Sequence, residues 1–215
     1  MRVRKVVTRS GKRFRGKFPS RKLGRMVQWE SLLERDAILA LEYLHEVATY
    51  QEQPSVEIYY DGGDQPRRYV PDFRAMFGDG RELLIEIKPE ARVATKEISK
   101  KLGAIAKRLE EQGRHYRVLT ENDIRREPFF GNLRRLHSSG RRLKRASCTD
   151  ALVERLGDGP VWTISEAAEQ IGGIEDVLRL VAAGRLRIDL QAHIVPTSLV
   201  WLADAEGDRN GSFLL

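Results

Sequence analysis

Residues 67–88 read RRYVPDFRAMFGDGRELLIEIK, two apolar-rich runs parted by Gly78-Asp79-Gly80. Gly-Asp-Gly between two such runs signals a hairpin, and the second run is apolar enough to be a buried strand. If the hairpin is symmetric about Asp79, Asp72 faces Glu86 directly, with Cβ atoms roughly 4.5 to 5.5 Å apart. Side chains alternate along a strand, so Glu86 and Lys88 share one face and Ile87 takes the other. Two carboxylates this close repel each other unless a cation sits between them. Ligands that offer only oxygen select a hard ion, which points to Mg2+, with Mn2+ able to substitute, over zinc. Lys88 can then place a point charge on a metal-bound water or a scissile phosphate.

On the N-terminal side, MVQWESLLERDAILALEYL (26–44) has a helical period, with Trp29, Leu33, Ala37, Ala40, Leu41 and Leu44 on one stripe. Glu34 and Glu30 fall within or at the edge of that stripe. An inward-facing acid is costly unless it is paired or bound to metal, so each is a candidate third carboxylate, with a salt bridge as the alternative. VATYQEQP and SVEIYY read as short strands, DGGDQP as a turn, KEISKKLGAIAKRLEEQG as an amphipathic helix and HYRVLT as a further strand. Helix, meander, helix and strand make an α/β domain with a mixed sheet flanked by helices.

The basic, Ser/Gly-containing stretch NLRRLHSSGRRLKRAS (132–147) places a domain boundary near residue 140. Beyond it, TDALVERL, TISEAAEQI and IEDVLRLVAAGRL predict three short helices, and RIDLQAHIVPTSLVWL predicts a strand pair. This is the outline of a small winged-helix-like C-terminal domain. The chain is therefore expected to comprise a basic arm (1–25), an α/β domain (26–140) and a winged-helix-like domain (141–215).

Charge sharpens this division. The first 25 residues hold eleven Lys and Arg and no acid, whereas residues 151–215 hold five basic and ten acidic residues. A basic arm on a more neutral body suits binding to a phosphate backbone, with a solvated tail as the alternative. The acidic C-terminal part, with Glu175 and Asp176 at the start of its candidate recognition helix, suits a protein partner better than DNA. The 215 residues are 32% charged, with a mean hydropathy of -0.46. No apolar run approaches the roughly 20 residues that a membrane helix needs. The basic N-terminus has no apolar segment behind it, and the single Cys148 has no partner for a disulfide or zinc cluster. A cytoplasmic, nucleoid-associated setting is expected.

Pro71-Asp72 followed by Glu86-Ile87-Lys88 resembles the signature of the PD-(D/E)-x-K nuclease superfamily. Together with SLLE (31–34), Gln53-Pro54, YVPDF (69–73) and IEIKP (85–89), residues 25–135 resemble the N-terminal nuclease domain of TnsA. TnsA proteins are the endonuclease subunits of the heteromeric, Tn-seven-like cut-and-paste transposases. The resemblance implies a restriction-endonuclease-like fold, with Glu34, Asp72, Glu86 and Lys88 as catalytic residues and the three acids as metal ligands; Glu30 is the fallback for Glu34. It also implies a Mg2+-dependent DNA endonuclease that cuts the non-transferred strand of double-stranded DNA at transposon ends. The implied partners are a DDE transposase subunit and an AAA+ ATPase regulator. The rival readings are a stand-alone restriction or repair endonuclease and a non-enzymatic DNA-binding regulator.

Overall fold

The computed structural model describes residues 14–60, 63, 65–141, 147–157 and 159–203. The chain divides into two compact units between Arg125 and Arg126. Among the described residues, no helix is long and apolar enough to cross a membrane.

The first unit opens with a hairpin of β1 (Gly16–Ser20) and β2 (Arg25–Trp29), paired in register from Gly16↔Trp29 to Ser20↔Arg25. This corrects two expectations. The basic arm is folded from Gly16 onward, while its residues 1–13 lie outside the described residues. The segment MVQW is strand rather than helix. Met26, Val27 and Gln28 alternate exposed, buried, exposed, a period-two pattern whose Trp29 also happens to fit a helical spacing. Helix α1 (Leu32–Tyr43) starts later, where the Ser31 side chain accepts a hydrogen bond from the Glu34 amide.

The hairpin is locked to α1 by polar groups. Glu42, buried on α1, accepts from the Ser20 and Tyr50 hydroxyls and from the backbone amides of Arg21 and Lys22. Lys22 Nζ donates to the carbonyls of Leu41, Leu44 and Val47 at 2.7, 2.8 and 2.6 Å. It thus ties together the carbonyls of the helix end, the following turn and the start of the next strand. Arg25 forms a two-pronged ion pair with the buried Glu52. Lys22 and Arg25 are therefore structural cations.

The main sheet has four strands in the order β3-β6-β7-β8: β3 (Val47–Glu52), β6 (Phe73–Phe77), β7 (Glu82–Ile87) and β8 (His115–Leu119). The first two pairings are antiparallel and β7–β8 is parallel. A parallel pair needs a crossover, supplied here by α2 (Glu90–Val93) and α3 (Lys96–Glu111). The short pair β4 (Glu57–Tyr59) and β5 (Arg67–Tyr69) forms a separate hairpin, so RRYVPDFRAMF is two strands, not one. Leu84 of β7 packs with Tyr59, Tyr69, Ile105 and Leu109 against α3. Ile85 and Ile87, on the opposite face, line one apolar cavity with Ala37, Ala40 and Leu41 of α1 and Ile124 of α4 (Glu121–Ile124). The fold is thus a mixed α/β sheet flanked by helices, as expected.

The second unit contains α5 (Phe129–Arg141), α6 (Ser147–Val153), β9 (Val161–Thr163), α7 (Ile164–Ile171), α8 (Ile174–Ala182), β10 (Leu186–Ile188) and β11 (Leu199–Leu202). The three strands form an antiparallel sheet ordered β10-β11-β9. The division falls earlier in the chain than residue 140, because α5 packs with this unit. Asn132 donates to the carbonyls of Leu190 and Ala192, and Ser139 donates to Glu175 of α8. Ser139 and Gly140, which read as linker residues, are buried on α5.

Candidate active site

The observed register pairs Phe73 with Ile85 and Met76 with Glu82, symmetric about Asp79 as the turn implied. Asp72 and Glu86 are the next facing positions, just beyond the last pair. The end of β3 holds Asp72 in place through a 2.9 Å bond from the Gln53 amide to the Asp72 carbonyl. Gln53 adopts φ 46°, a left-handed conformation that a residue other than glycine rarely takes. Its side-chain amide donates to Glu30 at 2.7 Å.

Lys88 unites the pair. Its Nζ forms an ion pair with Glu86 Oε1 and lies 3.8 Å from Asp72 Oδ2. Asp72 Oδ2 also accepts from the Ile87 amide at 2.7 Å, so one carboxylate bridges the strand backbone and the lysine. Glu86 is almost fully buried, and its second oxygen accepts from the Tyr69 hydroxyl at 2.6 Å. Tyr69 in turn meets the Tyr116 hydroxyl at 3.2 Å, with the two rings edge to face. Both carboxylate oxygens of Glu86 are therefore fixed in place by protein groups.

Glu34 is placed differently. Its oxygens accept from the Glu30 amide at 2.7 Å and the Ser31 hydroxyl at 3.1 Å, which binds the SLLE segment into the N-terminal cap of α1. Glu34 nevertheless interacts electrostatically with Asp72 and Lys88. Glu30 precedes the helix and holds Gln53, so it does not share a helical face with Glu34 as expected.

The electrostatics follow from burial. Desolvation first, and then the facing Glu86 carboxylate, push the Asp72 carboxyl well above the usual range; Lys88 and the Ile87 amide oppose them. Desolvation also raises Glu34, against the two hydrogen bonds that favour its ionised form. For Lys88, burial disfavours the charge, but Asp72 and then Glu86 outweigh it and hold the ammonium above its ordinary value. Burial and the neighbouring Glu86 keep Tyr69 protonated, as a hydrogen-bond donor. A lysine within reach of both carboxylates offsets the repulsion between them.

Among the described residues, no three His, Cys, Asp or Glu side chains stand together at a spacing to hold a metal ion. The structure brings Asp72, Glu86 and Lys88 together and sets Glu34 beside them in its own cap. Magnesium is commonly held by one or two carboxylates plus water and substrate phosphate, and an all-oxygen pair at strand ends fits that ion. The motif reading missed Tyr69. Its position beside the PD motif, on a strand that faces the Leu84 and Glu86 side of β7, is the signal that could have found it.

A mixed sheet flanked by helices, with an acidic pair and a lysine where two of its strands end, is consistent with a nuclease-like fold. Residues 44–121 match the family described as TnsA-like endonuclease N terminal, and the first unit carries a TnsA-like nuclease domain. Asp72, Glu86 and Lys88 fall inside that match, and Glu34 lies before it. No curated protein matches the chain.

Proposed function

We propose that this protein is the Mg2+-dependent endonuclease subunit of a heteromeric transposase, cutting the non-transferred strand of double-stranded DNA at transposon ends. The observation that carries the reading is the Asp72–Lys88–Glu86 cluster inside the TnsA-like segment. Asp72 and Glu86 would hold the ion, which when bound polarises the scissile phosphate as a Lewis acid. Tyr69 keeps the Glu86 carboxylate in one orientation through its hydroxyl. Lys88 supplies positive charge where the phosphate and the attacking water meet. Water adds to phosphorus and the bond to the 3′ oxygen breaks, leaving a 5′-phosphate and a 3′-hydroxyl.

The second unit supports a partner-binding role. After α5, its order of helix, strand, two helices and two strands suits a winged helix. Its candidate recognition helix α8, however, offers acids already engaged: Glu175 by Ser139 and Asp176 by Arg179. Val195 and Leu199 are 45% and 52% exposed, apolar area suited to a protein surface on the DDE transposase or the AAA+ ATPase. The six Lys and Arg of residues 1–13 would add phosphate contacts.

The ion pairs of Lys88 with Asp72 and Glu86 favour one rival, a DNA-binding regulator whose acids are only structural. Cleavage of transposon-end DNA, assayed with the transposase partners present, separates the two readings. Asp72→Ala and Lys88→Ala should each lower the rate by a factor of 100 or more, that is by about 2.7 kcal/mol in the barrier, while each variant still melts cooperatively above the assay temperature. Magnesium at about 100 times its Kd should also stabilise the wild type by about 2.7 kcal/mol and Asp72→Ala much less. A wild type that neither cuts nor responds to magnesium is the regulator.

A further inference from the structure

The outward face of α3 carries a line of cations that the catalytic cluster does not use. Lys96, Lys100, Gly103 and Lys107 follow at steps of four, three and four, so they form one stripe, and all four are exposed. The stripe lies opposite the buried Leu102, Ile105 and Leu109 and runs about 16 Å along the helix. Among the described residues none of its three lysines forms an ion pair, whereas the neighbouring Arg108 reaches Glu111.

Gly103 is the unexpected member. Glycine inside a helix costs about 1 kcal/mol relative to alanine, and a Cβ placed here would meet nothing within 4 Å. Packing within the protein therefore gives no reason for its small size. The remaining use of glycine in such a position is to let another molecule approach the backbone closely.

Topology ties the stripe to the active-site cluster. Because β7 and β8 are parallel, α3 must run back from the end of β7 that carries Lys88, so the Lys96 end of the stripe is the end near the cluster. Only Pro89 to Thr95 separate Lys88 from Lys96, a span of at most about 29 Å, less than one turn of duplex DNA. Further along α3, Lys101 Nζ lies 5.9 Å from the centre of the Tyr69 ring, and Tyr69 orients Glu86.

We propose that the Lys96–Lys100–Gly103–Lys107 face of α3 is a second contact for the phosphate backbone of duplex DNA, holding the flank of the duplex whose phosphate enters the cluster at Lys88. The inference rests on the nuclease reading above. Gly103 allows a sugar-phosphate strand to lie against the helix, with a lysine on either side.

Binding of the full-length protein to a duplex of about 30 base pairs, followed by fluorescence anisotropy in metal-free buffer across a salt series, tests it. Lys100→Gln/Lys107→Gln should weaken binding at least tenfold at low salt and reduce the log-log salt slope by about 1.8. Gly103→Gln should raise Tm by about 2 °C through helix propensity and yet weaken binding threefold or more. Damage to the fold cannot produce that pair of opposite changes. An unchanged slope for the double variant, or unchanged affinity for Gly103→Gln, overturns the proposal and leaves the stripe to an acidic protein surface. The cleavage assay runs in parallel. Stripe variants that bind normally while Asp72→Ala loses cleavage would sink this inference alone. Weakened binding with a wild type that never cuts would sink the nuclease reading alone.

Discussion

Asp72 faces a second buried carboxylate, and the cost of that conflict can be read from pH. Its folded carboxyl is raised well above its ordinary value, chiefly by desolvation and by Glu86. Between the unfolded and the folded pKa the native state holds a proton that the unfolded chain has lost, so stability falls as pH rises through that window. The penalty is complete above the folded value and absent below the unfolded one. Asp72→Asn can still accept from the Ile87 amide but carries no charge. In metal-free buffer it should melt above the wild type at pH 8, with the gap closing by about pH 4. Melting curves at four or five pH values check this, and a gap that widens on acidification would contradict the assignment.

At the scale of elements, the hairpin β1–β2 and the helix α1 form one cooperative piece. Lys22→Met keeps the length of the side chain but removes the ammonium that donates to three carbonyls. A loss of about 1–3 kcal/mol is expected, measured as a lower urea midpoint with an unchanged slope. Gly16 packs as tightly: a Cβ there would sit 2.3 Å from the Trp29 ring. This piece also shows what could be read from the sequence and what could not. The facing of Asp72 and Glu86 was legible because a short symmetric turn fixes register, and the α3 helix because its apolar period is long. The start of α1 was misread because the exposed and buried alternation of Met26, Val27 and Gln28 is too short to outweigh a helical spacing that includes Trp29. Ser31 and Glu34, at cap spacing, held the correct boundary. Lys22 and Tyr69 were hidden because their partners are 19 and 17 residues away and the contacts depend on tertiary structure.

For the molecule as a whole, the division before α5 changes which fragment is a folding unit. Residues 146–215 omit Phe129, Leu133 and Leu136, each 1% exposed or less, and the Asn132 amide that holds Leu190 and Ala192. A fragment 126–215 should therefore unfold cooperatively on heating, while 146–215 should show exposed apolar surface and a broad, weak transition. A sharp transition in the shorter fragment would return α5 to the first unit. The Glu42 anchorage has a consequence of another kind, in translation. Met26 stands inside β2, and a ribosome that initiated there would make a chain without Ser20, Arg21 and Lys22, three of the residues that serve the buried Glu42 carboxylate. A buried charge stripped of its partners costs about 3–5 kcal/mol, a large share of the total stability of a domain. Such a product would be a substrate for cellular proteases rather than a shorter nuclease, so the reading frame tolerates initiation only upstream of the hairpin.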